Sequence, residues 1–261
     1  MAKALYDGVS GVARKVKKKY DGVSGVAQAV KKAYDGVGGV ARQFWSSGTP
    51  LSSLAVGSTV YMKVNGVSKA FIVVNRGRPS SAYDSSCDGT WLLMKNLHEK
   101  RAWDATNNDY ANSDIHAYLN STFLGLFDSG VQSAIKQVKI PYRAGSGTSK
   151  TVSSGSSGLS TKVFLLSYTE VGFSGSSSAP VEGAVLDYFD GAANSDRIAY
   201  LNGTATGWWL RSPFTGLTTS ACYVGTSGAD FSVNVTLSYG VRPCIILPST
   251  QTVDDSFNVI A

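Results

Sequence analysis

The chain has 261 residues, 43% hydrophobic and 16% charged, which excludes wholesale disorder and admits one large domain or two small ones. No apolar run is long enough for a membrane-spanning helix, and the N-terminus, MAKALYDGVSGVARKVKKKY, lacks the apolar stretch of a secretory signal. The net charge of +6 sits wholly in residues 1–45, which carry nine basic and three acidic residues, whereas residues 46–261 carry fifteen of each. A basic leader thus precedes a neutral body. Such a leader can bind nucleic acid or anionic surfaces, but a solvated fibrous face is the plainer account, and no nucleic-acid partner is expected.

The leader repeats. Residues 6–19 read YDGVSGVARKVKKK, residues 20–33 read YDGVSGVAQAVKKA, and residues 34–45 read YDGVGGVARQFW, a period of 14 residues. Val9, Val12, Val16, Tyr20, Val23, Val26, Val30 and Tyr34 are spaced by threes and fours, as in a coiled coil. Against a helix, each repeat holds two glycines, each costing about 1 kcal/mol relative to alanine. The favoured alternative is β: Ser-Gly and Gly-Gly form tight turns, and the valines form strands. Either way the apolar stripe is too thin to stand alone. Residues 1–45 are therefore expected to form an attachment and oligomerisation shaft, with a homotrimer as the working assignment.

The repeat fails at Phe44–Pro50, and residues 46–261 form the second unit. Thr59–Asn65 and Val67–Val74 flank Asn65-Gly66, a hairpin signature. Thr90–Lys95 follows as an apolar strand. Asn112-Ser113-Asp114 caps a helix carrying Ile115, Leu119, Phe123 and Leu126. A second helix is expected over Asp128–Val138, with Val131, Ile135 and Val138 on one face. Ala144–Ser160 is rich in Gly, Ser and Thr and reads as a loop; Ser174–Ala179 reads likewise. Val163–Ser167 is a buried strand by composition, and Glu182–Phe189 a short helix. Gly207–Ser212, Ala221–Gly225, Ser232–Leu237 and Gly240–Leu247 read as strands. The expected class is α+β, with helices early and strands late.

Little points to catalysis. Cys87, Cys222 and Cys244 lack metal spacing, and buried thiols are favoured over a Cys222–Cys244 bridge. His98 and His116 have no nucleophile motif beside them, and His116 reads as structural. Asp104, Asp109 and Asp114 lack the spacing and terminal Glu of a calcium loop. No phosphate-binding glycine motif occurs. No enzyme activity, cofactor or metal is expected.

Phe214–Tyr239 has a different character. Phe214, Tyr223, Phe231 and Tyr239 offer rigid contact area. Thr215, Thr218, Thr219, Ser220, Thr226, Ser227, Asp230, Ser232, Asn234, Thr236 and Ser238 offer small polar contacts. That mixture is the composition of a paratope; it is also that of a β-hairpin with a polar outer face. Cys222, Val224, Val233 and Val235 are expected to face the core. Trp208 and Trp209 adjoin Arg211: one indole is expected in the core and the other under Arg211. Arg211 and Arg242 are expected to satisfy carbonyls or carboxylates inside the fold.

Several segments resemble a C-type-lectin-like domain of tail proteins from bacteriophages and prophages of gut bacteria. They are Leu54-Ala55-Val56-Gly57-Ser58, Tyr110–Ile115 with Tyr118-Leu119-Asn120, Val163–Ser167 before Glu170-Val171-Gly172, Trp208-Trp209-Leu210-Arg211-Ser212-Pro213 and Gly240-Val241-Arg242-Pro243. The likeness covers residues 50–250, and the YDGVSGVARKVKK repeat is similar to repeats that precede such domains. It implies a receptor-binding head on a tail fibre or tail tip, made in the bacterial cytoplasm and carried in the virion. The partners implied are a host-surface protein or glycan and other tail or baseplate proteins, without membrane insertion. It makes Trp208, Trp209, Arg211 and Arg242 scaffold. The same fold carries the variable proteins of diversity-generating retroelements, and the corresponding variable segment is Phe214–Tyr239. Adenine-directed mutation of Asn codons cannot yield Lys, Glu, Gln, Met or Trp, and that segment contains none of them. Two alternatives stay open: a structural tail or decoration protein, and an oxidase of the formylglycine-generating kind. Against the latter, Cys222 and Cys244 lack the expected paired-cysteine spacing. Calcium-dependent sugar binding is not expected either, since the EPN, QPD and WND triplets are absent.

Overall fold

A computed structural model of the chain describes residues 48–145 and 147–261 throughout, and the backbone of six strands within residues 6–46. Those six form three antiparallel pairs: Tyr6–Val9 with Val12–Lys15, Lys19–Val23 with Val26–Val30, and Lys32–Val37 with Val40–Ser46. The pairs close on Val9↔Val12, Val23↔Val26 and Val37↔Val40. Each 14-residue period is therefore one ribbon of two strands, not a stretch of coiled coil. The Ser-Gly and Gly-Gly turns expected there lie outside the described residues, as do the side chains of the valine stripe.

The head is built on two five-stranded sheets. The first has the order Val163–Phe164, Cys244–Leu247, Thr90–Met94, Val67–Arg76, Thr59–Val64. Its hairpin forms for local reasons. Val60, Met62 and Val64 alternate inward with Tyr61 and Lys63 outward. Asn65 (φ 51°) and Gly66 (φ 72°) supply the two left-handed residues of the tight turn. Thr90–Met94 is buried along its whole length because both faces are covered. Leu92 and Met94 enter one apolar core, while Trp91 and Leu93 enter the other.

The second sheet has the order Lys100–Ala102, Ser238–Gly240, Trp208–Pro213, Ser220–Val224, Asp230–Asn234. It is antiparallel except where Trp208 pairs with Gly240. It also divides its side chains between the cores: Trp209 and Ala221 enter one, and Trp208, Leu210, Cys222 and Val224 the other.

The α+β, C-type-lectin-like expectation is corrected by this architecture. Strands hold 34% of the described residues and helices 16%, so sheet predominates over helix. The longest α-helical run among the described residues, Ser129–Ala134, holds six residues. Tertiary pairing cuts the expected helices short. Val138 leaves its helix because Val138–Ile140 pairs with Leu159–Thr161. Ser113 does cap Asp114–Tyr118, its Oγ accepting from His116 N–H, but the run then passes into a π turn, Leu119–Phe123. Of Glu182–Phe189 only Asp187–Phe189 is helical, as one 3-10 turn: Gly183 has φ 93° and Glu182 points into the core. The expected 144–160 loop also contains strand, since Val152–Ser153 pairs with Tyr142–Arg143. Ala144–Ser160 is thus folded against the head along part of its length.

Candidate ligand-binding face

One residue from each strand of the second sheet meets in a row across it. Arg101 pairs with Tyr239, Trp209 with Tyr223, and Tyr223 with Phe231. The strand period of two puts these side chains on one face. The Tyr239 ring lies 5.1 Å from Trp209 and 4.4 Å from Tyr223, and Tyr223 lies 5.7 Å from Phe231. Trp209 is fully buried at the base, its Nε1–H donating to the Arg101 carbonyl at 2.9 Å. Tyr223 and Tyr239 are half-buried, and Phe231 is 51% exposed. Burial, with the hydrogen bond to Tyr239 second, pushes the Tyr223 phenol up to about 12. The row therefore presents aromatic carbon, with Arg101 at one end of it.

Two glycines make room for it. A Cβ on Gly207 would sit 3.1 Å from both the Tyr223 and Tyr239 rings, and one on Gly225 would sit 2.7 Å from the Phe231 ring. Beside Tyr239 opens a groove of about 440 Å³ lined by Lys100, Thr204, Thr206, Thr226, Leu237 and Ser238 among others. Short hydroxyls, one lysine and aromatic carbon thus share one continuous surface. Sequence reasoning missed Lys100, Arg101, Thr204, Gly207 and Gly225. The one signal was a glycine ahead of paired tryptophans in a strand, a mark of close approach.

The structure divides the expected ligand-binding residues. Tyr223, Phe231, Tyr239, Thr226 and Ser238 belong to the row and groove, with Ser227 exposed on the same turn as Thr226. Asp230 is exposed and accepts a hydrogen bond from the Tyr168 hydroxyl at 2.6 Å. Ser232 is exposed, paired across the sheet with Cys222. Phe214, Thr215, Thr218 and Thr219 lie at the opposite end of the sheet, where Asn108 Nδ2 donates to the carbonyls of Phe214, Leu217 and Ser220. Phe214 packs against the second core, and Thr215 Oγ1 is buried. Asn234 and Thr236 stand at that same end, Asn234 Oδ1 accepting from the Thr236 backbone and hydroxyl. Cys222, Val224 and Val235 are buried; Val233 is half-buried.

Trp208, Trp209, Arg211 and Arg242 are all buried. The expected stacking is corrected: both indoles are in the cores, and Arg242, not Arg211, lies over Trp208 at 4.8 Å. Arg242 Nε also donates to the Met94 carbonyl at 3.0 Å. Arg211 instead grips Glu170 through two bonds of 2.5 and 2.7 Å, and its Nε lies 3.3 Å from Glu182. Desolvation raises the Glu182 carboxyl, opposed by Arg211. Such buried pairs tolerate no loss of one partner, because the other charge is then stranded.

Cys87, Cys222 and Cys244 are free and buried, so the Cys222–Cys244 bridge left open by the sequence is not formed. Desolvation pushes the Cys222 thiol up to about 12. His98 contacts the Tyr118 hydroxyl, and His116 the Ala111 carbonyl and the Thr161 hydroxyl. Among the described residues no three His, Cys, Asp or Glu side chains gather as a metal site. No helix of the described residues is long and apolar enough to cross a membrane.

Residues 88–249 match a family described as a domain of unknown function, DUF6273, and the chain belongs to that family. The matched span holds every strand of the second sheet, and so the whole aromatic row. No curated protein and no solved structure matches the chain.

Proposed function

We propose that this protein is the receptor-binding component of a phage tail fibre or tail tip, carried in the virion. Its head binds a protein or glycan of the bacterial host surface, and its ribbons assemble it, as a homotrimer, onto other tail proteins. No covalent chemistry is involved. The observation that carries this reading is the row of exposed Phe231 and half-buried Tyr223 and Tyr239, bordered by Thr226 and Ser238. Large rigid rings beside short hydroxyls give contact area at little cost in side-chain entropy. The row also lies inside Phe214–Tyr239, the segment that retroelement diversification would rewrite. Buried Trp209, and Gly207 that seats Tyr223 and Tyr239, lie outside that segment and would stay fixed beneath it.

The test is cell binding. Fluorescent full-length protein and a Tyr223→Ser/Phe231→Ser variant are incubated with a panel of gut bacterial strains after their melting curves have been compared. Strain-selective binding by the parent, reduced at least tenfold in an equally folded variant, is the expected result. Equal binding by both moves the site off this face. Binding of neither to any strain favours the structural tail or decoration protein.

A further inference from the structure

The groove beside the aromatic row, about 440 Å³, has the size of a small-molecule site, for which about 300–1,000 Å³ is usual. Three parts of the chain build it. Lys100 comes from the edge strand of the second sheet, where it pairs with Gly240. Thr204 comes from a hairpin in which Tyr200–Leu201 pairs with Thr204–Ala205. Asn202 and Gly203, with φ of 51° and 83°, close that hairpin as a tight turn. Thr226, Leu237, Ser238 and Tyr239 come from the segments on either side of Asp230–Asn234. The Gly240 amide donates to the Gly207 carbonyl at 2.8 Å, which ties the lysine side of the groove to the chain that leaves the hairpin.

The lining is chemically uneven. Thr204, Thr226 and Ser238 are exposed, and each hydroxyl can both donate and accept. Leu237 and the Tyr239 ring are its large apolar members. They can cover one face of a sugar ring but cannot surround an apolar peptide side chain. Lys100 is exposed and is the one charged residue of the lining. Its neighbour Glu99 is held by Arg101, whose Nε donates to Glu99 Oε1 at 3.0 Å. Among the described residues, ion pairs engage Arg101 and Arg211 but not Lys100. The groove therefore offers hydroxyl partners, an aromatic face and one uncompensated positive charge.

We propose that this groove binds an acidic sugar residue, one that carries a carboxylate on a ring otherwise rich in hydroxyls. Lys100 meets the carboxylate as a point charge on a flexible stem. Thr204, Thr226 and Ser238 exchange hydrogen bonds with the ring hydroxyls, and Tyr239 covers the C–H face. The inference rests on the reading of the head as a receptor binder and narrows its ligand from protein or glycan to an acidic glycan. Lys100 and Thr204 lie outside Phe214–Tyr239, so the charge is read by a residue that diversification of that segment would leave alone.

Titration of the full-length protein, followed by the broadening of sugar proton resonances, tests it with glucuronic acid, glucose and glucose 6-phosphate as probes. Glucuronic acid differs from glucose in the carboxylate alone. The parent binds glucuronic acid about fivefold more tightly than glucose, the size of one solvent-screened ion pair. Lys100→Gln, at an exposed position, leaves the melting temperature unmoved and brings glucuronic acid down to the level of glucose. Thr204→Val weakens both sugars alike. Equal binding of the two sugars by the parent overturns the inference, as do selectivity that survives in Lys100→Gln and a failure to bind any sugar. A preference for glucose 6-phosphate over glucuronic acid overturns the carboxylate in favour of a phosphate. Cell binding by the same samples separates this inference from the reading beneath it. Strain-selective cell binding without sugar binding leaves a protein receptor and ends this inference alone. Lys100-dependent binding of glucuronic acid by a head that binds no cell supports this ligand and ends the receptor reading.

Discussion

Gly207 shows what a single residue decides on the candidate face. It precedes Trp208 and Trp209 in sequence, and its missing side chain lets Tyr223 and Tyr239 approach within 4.4 Å. An added methyl would meet both rings and the Val224 carbonyl at 3.1 Å. Rings can yield a little; a backbone carbonyl in the sheet cannot. Gly207→Ala is therefore expected to cost about 1–3 kcal/mol by overpacking, read from the midpoint of urea unfolding. Because the rings must part, the same variant should bind cells more weakly than its residual stability explains. Full binding by a destabilised but folded variant would show that the ring arrangement is not what the receptor meets.

At the level of elements, legibility followed locality. The Asn65-Gly66 hairpin could be read because alternation and turn chemistry are both local. The late strands could be read only in part: Trp208–Pro213 and Ser220–Val224 form where expected, but the strand expected over Ser232–Leu237 is Asp230–Asn234, and Gly240–Leu247 is divided between the two sheets at Val241–Pro243. The helices could not, because partners distant in sequence set their ends: Val138 pairs with Thr161, and Glu182 reaches Arg211. The polar 144–160 segment looked like free loop, yet its strands pair with residues 138–143, which its own composition does not announce. The candidate site was half legible. Tyr223, Phe231 and Tyr239 stood out by type, but only the register of the strands makes them one row and sends Phe214, Thr218 and Thr219 elsewhere. Elements also set the folding unit. The family match, 88–249, leaves out Thr59–Val64 and Val67–Arg76, two of the five strands of the first sheet. These strands bring Val60, Met62, Val64, Phe71 and Val73 to the core. A fragment of residues 88–249 should lack a cooperative thermal transition, whereas residues 48–261 should show one; cooperative melting of the shorter piece would contradict this account.

The whole molecule joins a head whose described cores begin at Leu51 to a leader made of ribbons. The two parts contribute to different quantities. Removing residues 1–47 takes nothing from either described core, so the melting temperature of the head should hold. It does remove the repeats through which copies are proposed to associate, and all of the net positive charge. If several heads on one shaft engage one cell, the second contact is intramolecular, and its loss weakens apparent binding by about 10²–10⁴-fold without altering any contact in the face. The check is to titrate cells with full-length and truncated protein at two salt concentrations. A large loss that is the same at both is the signature of avidity. A loss that shrinks steeply at the higher salt would instead assign the leader's contribution to its charge, because contacts between exposed charges are screened beyond about 10 Å at 0.1 M. Equal binding by the truncated protein would mean that one head suffices, and attachment would be the only part of the ribbons' proposed role left standing.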